Sequence, residues 1–315
     1  MRNVSEAADR INTPIDGSGK RFKKWIGALI WVAALALTLG SAMHQRKTGP
    51  THPLRGEFTV NGSVYSFKLR RNPTTDAPLQ VKVPLPPGGT GVLTWREYPT
   101  DWEWKTVPLA ETNGIGTATI PIQPVAGKVE YFIEITLPDT DPIRLPSVGR
   151  PAIARYKDPV PAWALIPHVL LMFAAMLISN RLGLGGLFRE RVRRRLIIAA
   201  FVTLTLGGFL FGPIVQYYAF GAAWTGWPVG TDLTDNKVAV NWLVWLIPLG
   251  LMRKPRLCRI SVLFAALVTL AIYLIPHSLL GSEYDYKSPG PTVKVSSAVN
   301  TSSGQSAHIS IDLYR

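Results

Sequence analysis

The sequence predicts a multi-pass α-helical membrane protein with five transmembrane helices and an all-β domain inserted between the first and second helix. Three observations support this fold class. Charged residues make up only 17% of the 315 residues, against roughly 25% in soluble proteins. The apolar residues are collected into long runs, and a helix needs about 20 of them to cross a bilayer. The net charge of +14 is concentrated in residues 1–24, 181–195 and 253–259, which alternate with the apolar runs.

The apolar runs define the five predicted spans. They lie at residues 25–43, 162–180, 196–215, 238–252 and 260–280. The fourth run is short and contains Asn241 and Pro248, so it fits a membrane crossing less well than the others. The first run could instead be a signal peptide, because Gly40-Ser41-Ala42 resembles a small-residue cleavage site. Its length and the polar tail before it favour an uncleaved anchor.

Positive charge on alternate connections predicts the orientation of the chain. Cytoplasmic loops are enriched in Lys and Arg, which places the N-terminus inside and, after five crossings, the C-terminus outside. The predicted parts are a cytoplasmic basic tail, an anchor helix, an external β domain, a four-helix membrane domain and an external tail, at residues 1–24, 25–43, 44–160, 161–280 and 281–315. A bacterial-type cytoplasmic (inner) membrane fits this arrangement, with the β domain and C-terminus periplasmic. Basic residues that flank membrane spans in this way do not indicate nucleic-acid binding.

The segment after the first span changes to an alternation of apolar and polar residues, which is typical of β-strands. The alternation is clearest over residues 129–137, where Glu130 and Glu134 occupy the second face. Turn signals such as Asn61-Gly62 and Asn113-Gly114 separate the runs. The single cysteine, Cys258, lies outside this segment. The sequence therefore predicts an all-β domain that folds without disulfides.

Four short stretches of this domain form a recognisable series. They are Leu93-Thr94-Trp95, Trp104-Lys105-Thr106-Val107-Pro108-Leu109, Gly116-Thr117-Ala118-Thr119-Ile120-Pro121 and Val129-Glu130-Tyr131-Phe132-Ile133. The series resembles immunoglobulin-like or fibronectin-type β-sandwich domains, whereas the membrane part resembles no family. The resemblance implies a sandwich that binds a partner or acts as a spacer, and it does not fix an activity. Trp95, Trp102 and Trp104 could form a carbohydrate platform, or one could lie in the core with exposed neighbours.

Two histidines in the predicted spans are candidate ligands for a cofactor. His168 lies in the second span and His277 lies near the outer end of the fifth, each directly after a proline. Two imidazoles at similar depth on antiparallel helices could bind the iron of haem b or share a divalent metal. Ionisable residues inside a membrane are functional candidates. Alternatively, a neutral histidine could bond a backbone carbonyl freed by the nearby proline.

Carboxylates in the predicted outer loops extend this candidate site. Asp232 and Asp235 precede the fourth span, and Glu283 and Asp285 follow the fifth, at the same predicted membrane face as His277. These four carboxylates and His277 form the candidate metal-binding set. Their spacing lacks the order of a calcium-binding loop. Asp235 could instead cap the helix of the fourth span.

The sequence leaves two functions open. The first is a membrane-embedded binding or assembly subunit that contacts the lipid bilayer and presents its external domain to a protein partner. The alternative is a membrane electron-transfer or metal-binding protein, with haem b or a divalent metal held near the outer face by His168 and His277. No catalytic set is recognisable, so whether the chain is an enzyme stays open. The tail from residue 288 onward could add a strand to the domain or a partner, or remain disordered.

Overall fold

The computed structural model describes residues 16–138, 140–146, 150–276, 282–287 and 293–295. Six α-helices lie in these ranges, and a π-helical segment, Leu206–Phe211, joins the third to the fourth. The helices are α1 (Asp16–Thr48), α2 (Ala162–Leu187), α3 (Arg194–Thr205), α4 (Gly212–Phe220), α5 (Leu233–Gly250) and α6 (Pro255–Leu274).

Four helices among the described residues are long and apolar enough to cross a membrane, which indicates a membrane protein. They are Trp25–Thr48, Ala162–Leu187, Arg194–Phe220 and Pro255–Leu274. They coincide with the first, second, third and fifth predicted spans. Helix α5 overlaps the fourth predicted span but is not one of these four. The count of five crossings therefore stays a prediction.

Polar side chains link the helices to one another. Helix α2 packs against α1, α3 and α6, and Asn180 of α2 donates a hydrogen bond of 3.0 Å from Nδ2 to Thr38 Oγ1 of α1. Helix α5 runs antiparallel to α6. Asn241 Oδ1 accepts a hydrogen bond from Thr269 Oγ1 at 2.7 Å, and Trp245 Nε1 donates to the same hydroxyl at 2.9 Å. Such bonds between helices satisfy groups that lipid tails cannot.

Between α1 and α2 the described chain forms ten β-strands. They are β1 (Leu54–Val60), β2 (Ser63–Leu69), β3 (Leu79–Pro84), β4 (Thr90–Tyr98), β5 (Lys105–Pro108), β6 (Ala110–Thr112), β7 (Ile115–Ile120), β8 (Lys128–Thr136), β9 (Ile143–Leu145) and β10 (Ala152–Arg155). Strands β1 and β2 pair as a hairpin, and β3, β7 and β6 form a second sheet. The largest sheet has the order β10-β8-β4-β5, with β9 also paired to β8. All these pairings are antiparallel, so the region is compatible with a β-sandwich.

The predicted alternation is confirmed in the core of this β domain. Tyr131 and Ile133 of β8 are fully buried, and they pack in one cluster with residues of β3, β4 and β7. Glu134 is exposed on the other face, whereas Glu130 on that same face is buried because it pairs with a neighbouring arginine. The predicted turn at Asn61 is also confirmed, since its φ of 49° and the φ of 78° at Gly62 are typical of a two-residue hairpin loop.

The β domain lies against one end of the helical bundle. The backbone N–H of Asp158 donates to the carbonyl of Ala219 at the end of α4, at 3.0 Å. Beyond α6, the chain forms a short hairpin of β11 (Ser282–Tyr284) and β12 (Val293–Val295). Lys128 of β8 forms an ion pair with Glu283 of this hairpin, and the N–H of Tyr284 donates to the carbonyl of Ala126 at 3.3 Å. The ends of α4 and α6 therefore share the side of the bundle that holds the β domain.

We expect residues 50–158, expressed alone, to fold as an all-β domain. The hydrophobic cluster around Tyr131 and Ile133 lies entirely within residues 54–156, and this segment contains no cysteine, so its fold needs no disulfide. Far-UV circular dichroism of this fragment should show β content, and a reducing agent should leave its melting temperature unchanged. A helical or unfolded spectrum would contradict an independent β domain.

Candidate functional site

His168 lies on α2 beside the π-helical segment. Its Nδ1 is 2.9 Å from the carbonyl oxygen of Gly207. A carbonyl can only accept a hydrogen bond, so this contact assigns a proton to Nδ1, and in the neutral imidazole Nε2 then keeps its lone pair. The bonded carbonyl belongs to the π-helical segment and not to the turn around Pro167.

Gly207 allows the close approach that makes this bond. A side chain at this position would meet Met172 of α2, with its Cβ 2.9 Å from the sulfur and 3.2 Å from the backbone nitrogen. The contact with backbone could not be relieved by a side-chain rotation. The absence of a Cβ at Gly207 thus lets α2 pack closely enough for His168 to reach the carbonyl.

His277, the second predicted ligand, lies outside the described residues. The last described residue before it is Pro276, beyond the last turn of α6, and the described chain resumes at residue 282. The carbonyl oxygens of Ile275 and Pro276 accept hydrogen bonds from Lys237 Nζ, each at 3.2 Å. The prediction that His168 and His277 share a haem or a metal therefore stays a prediction.

Asp232 and Asp235 both hold the connection between α4 and α5. Asp232 is the N-cap of α5, since its Oδ1 accepts from the N–H of Thr234 at 2.7 Å. The capping role considered for Asp235 thus belongs to Asp232. Asp235 Oδ2 accepts from the N–H groups of Thr225 at 2.6 Å and Gly226 at 3.0 Å. It also accepts from Gln216 Nε2 at 3.1 Å.

Glu283 and Asp285 lie in the segment after α6. Glu283 forms the ion pair with Lys128, and Asp285 Oδ1 accepts from the N–H of Lys287 at 3.1 Å. Across the part of the chain that the structure describes, no group of three or more His, Cys, Asp or Glu side chains is arranged to hold a metal. Each described carboxylate of the predicted set has a local contact of its own.

Arg155 occupies the junction between the β domain and the helices. Its guanidinium carbon is 4.2 Å from the ring centroid of Phe220, the last residue of α4. Burial lowers the pKa of this guanidinium, while the carboxylates of Asp232 and Glu283 oppose that shift. A buried cation facing an aromatic ring is a favourable contact of up to about 2 kcal/mol. The junction is therefore held by charge as well as by backbone hydrogen bonds.

The exposed face of the largest sheet holds a stack of alternating side chains, which we call the arginine–aromatic ladder: Arg144, Phe132, Trp104, Arg96 and Glu130. The Arg144 guanidinium lies 3.8 Å from the Phe132 ring centroid, and the Phe132 and Trp104 centroids are 5.2 Å apart. Arg96 covers the other ring, 4.4 Å from the Trp104 centroid. Its Nε forms a 2.5 Å ion pair with Glu130. Sequence reasoning missed this ladder, although Phe132 gave a signal, as an aromatic residue on the polar face of β8.

The three tryptophans considered for a carbohydrate platform are divided between core and surface. Trp95 is buried in the core of the β domain, with Lys105 Nζ 4.5 Å from its ring centroid. Trp104 belongs to the ladder and is 37% exposed, whereas Trp102 is 43% exposed and contacts Tyr286. They do not form one common platform.

We expect His168→Ala to lower the free energy of unfolding by about 1 kcal/mol, because it removes one hydrogen bond to a carbonyl that has a second partner in the π-helix. Thermal unfolding in detergent would measure this cost, with His44→Ala as the control at an exposed histidine of α1.

An absorption spectrum and elemental analysis of the same purified proteins distinguish this role from ligation. A Soret band, or near-stoichiometric metal, that is lost in both His168→Ala and His277→Ala but kept in His44→Ala would contradict a purely structural His168. That result would support the haem or metal hypothesis.

No protein-family model matches this sequence, and no curated protein matches it either. No matching family model therefore supports the resemblance of residues 91–136 to immunoglobulin-like domains. What the structure supports is an antiparallel β region between helices that is compatible with a sandwich.

Proposed function

We propose that this protein is a membrane-embedded binding or assembly subunit, which presents an immunoglobulin-like β domain on the outer side of a cytoplasmic membrane to a protein partner. The observation that carries the proposal is the arginine–aromatic ladder. It combines exposed tryptophan and arginine on a sheet face that the core of the domain does not use.

The composition of the ladder is that of a binding surface. Tryptophan and arginine are among the residues that most often dominate the energy of protein interfaces. The opposite face of the same strands packs into the core of the domain, where Tyr131 and Ile133 are fully buried. The ladder side chains are therefore free to serve contacts other than those of the core.

The ladder is also held in place before any partner arrives. Phe132 and Arg96 lie on the paired strands β8 and β4, and each ring is covered by a guanidinium. Side chains fixed in this way lose little conformational freedom on binding. Such an arrangement favours recognition by a rigid surface.

The attachment of the β domain supports a presenting role. The domain is joined to the bundle through α1 on one side and α2 on the other. Its contacts with Ala219, Phe220 and Glu283 add further connections. A domain connected at several points is held in a fixed position on its support.

The same contacts, together with the charge pattern, support the proposal of five crossings and an outside C-terminus. The end of α4, the start of α5 and the segment after α6 all lie at the β-domain end of the bundle. The arginine-rich connections, around residues 188–193 and 251–254, lie at the opposite end. Basic connections are retained in the cytoplasm, so we assign the β domain to the outside.

One observation favours the electron-transfer or metal-binding alternative. A histidine that ligates a metal through one ring nitrogen almost always donates its other N–H to a carbonyl or carboxylate. His168 makes such a bond to Gly207, which leaves Nε2 available. The spectrum and elemental analysis described for His168→Ala and His277→Ala test this alternative.

Photo-crosslinking in the native membrane tests the binding role. A benzophenone amino acid placed at Trp104 or Phe132 should give a discrete adduct with one partner protein on illumination. The same group at Ile115 or Ile122, which are 46% and 47% exposed outside the ladder, should not. A charge reversal, Arg144→Glu, should lower the yield of the Trp104 adduct severalfold, because it removes the guanidinium that covers the neighbouring Phe132 ring of the ladder.

The matched control is Lys82→Glu, an equal charge change at an exposed position of β3, which should leave the adduct yield unchanged. Equal crosslinking at ladder and control positions, or no adduct at either ladder position, would contradict the ladder as the binding surface.

A further inference from the structure

The end of the bundle opposite the β domain holds a pocket lined by arginines from two separate segments of the chain. The pocket has a volume of about 270 Å³. Its basic residues are Arg189, Arg191, Arg194, Arg256 and Arg259. They come from the α2–α3 connection with the start of α3, and from the first turns of α6.

These five positive charges have no acidic partner within the part of the chain that the structure describes. One carboxylate, that of Glu190, is among the residues that line the pocket. That carboxylate already forms a 2.8 Å ion pair with Arg181, a buried residue of α2 whose guanidinium also lies 5.5 Å from the ring centroid of Trp31. Several guanidinium groups around one cavity repel each other unless an anion lies among them.

The N-termini of α3 and α6 add positive electrostatic potential at the same end of the bundle. Helix α3 starts at Arg194 after the N-cap residue Arg193, and α6 starts at Pro255 after the N-cap residue Lys254. Neither N-cap side chain makes a capping hydrogen bond, and neither first turn contains an acidic residue. Free N–H groups at helix N-termini attract anions such as phosphate.

Apolar side chains complete the lining of the pocket. Val192, Met252 and the buried Cys258 lie beside the arginines. The pocket also stands at the ends of membrane-spanning helices, where lipid headgroups meet their acyl chains. This lining suits a molecule with an anionic group joined to an apolar part.

We propose that this pocket binds the phosphate group of an anionic phospholipid. The signal that keeps a loop in the cytoplasm requires positive charge near the membrane, but it does not require arginines of two separate segments to converge on one cavity. Basic pockets between transmembrane helices bind anionic headgroups. The inference is independent of the partner-binding role proposed above and of the direction in which the chain crosses the membrane.

Lipid titration of the delipidated full-length protein tests the proposal. Native mass spectrometry in detergent would count bound phosphatidylglycerol, with phosphatidylcholine and inorganic phosphate as comparison probes. The double variant Arg194→Gln/Arg256→Gln removes one pocket arginine from each side. The control, Arg195→Gln/Arg253→Gln, removes the same charge from exposed arginines of the same two segments that do not line the pocket.

We expect one phosphatidylglycerol to bind each wild-type chain more tightly than phosphatidylcholine. The pocket variant should weaken this binding by about tenfold or more. The control should change it by less than about twofold, because its exposed charges are screened by solvent and salt. Unchanged melting of both variants would verify folding. A second pair, Arg189→Gln/Arg191→Gln against Arg193→Gln/Arg195→Gln, should repeat the contrast within one loop.

Three results would overturn the proposal. Equal weakening of lipid binding in the pocket and control variants would mean that the lipid is attracted by diffuse surface charge and does not bind in the pocket. Equal binding of phosphatidylglycerol and phosphatidylcholine would remove the headgroup preference. Inorganic phosphate that binds the wild-type pocket as tightly as the lipid, and loses binding in the pocket variant, would identify a free phosphate as the ligand.

Discussion

The constraint on which this structure depends is that polar groups inside a membrane bundle must find partners within the protein, because lipid tails offer none. The bond between Asn180 and Thr38 joins the first helix to the second. Lys237 donates to the carbonyls of Ile275 and Pro276 beyond the end of α6, where the helix dipole favours a cation. The bonds of Lys237 lie at the end of the bundle against which the β domain packs.

Patterns that extend over many residues, namely the apolar runs and the strand alternation, predicted the fold well. Four of the five apolar runs correspond to helices able to cross a membrane, and the alternation over residues 129–137 corresponds to β8. The fourth run was harder to interpret, because Asn241 interrupts it and Asp235 and Lys237 lie just before it. All three are buried in the structure, and their partners lie on the α4–α5 connection, beyond α6 and within α6. Contacts between residues so far apart along the chain cannot be deduced from local hydropathy.

The candidate site was harder to predict from the sequence, and its role as a metal site stays a prediction. Residue type and predicted depth suggested that Asp232, Asp235 and Glu283 lie near one another as metal ligands. In the structure each has a hydrogen bond or an ion pair with another residue, and both Asp232 and Glu283 interact electrostatically with Arg155. The arginine–aromatic ladder depends on the register of β4 against β8 and on the path of the chain before β5. Only Phe132 marked it, as an aromatic residue on a face that otherwise carries glutamates. The arginine pocket likewise required two separate segments of the chain to meet in space.

The central claim is that the β domain and the segment after α6 share the outer side of the membrane, opposite the arginine-rich connections. Reporter fusions in a bacterial host test it most directly. Alkaline phosphatase, which is active only outside the cytoplasm, should be active when fused after Arg315 and inactive when the chain is truncated and fused after Arg191. A fluorescent protein that matures only in the cytoplasm should show the opposite pattern at the same two positions. An inactive phosphatase with a fluorescent reporter after Arg315 would contradict the account, because α5 would then not cross the membrane.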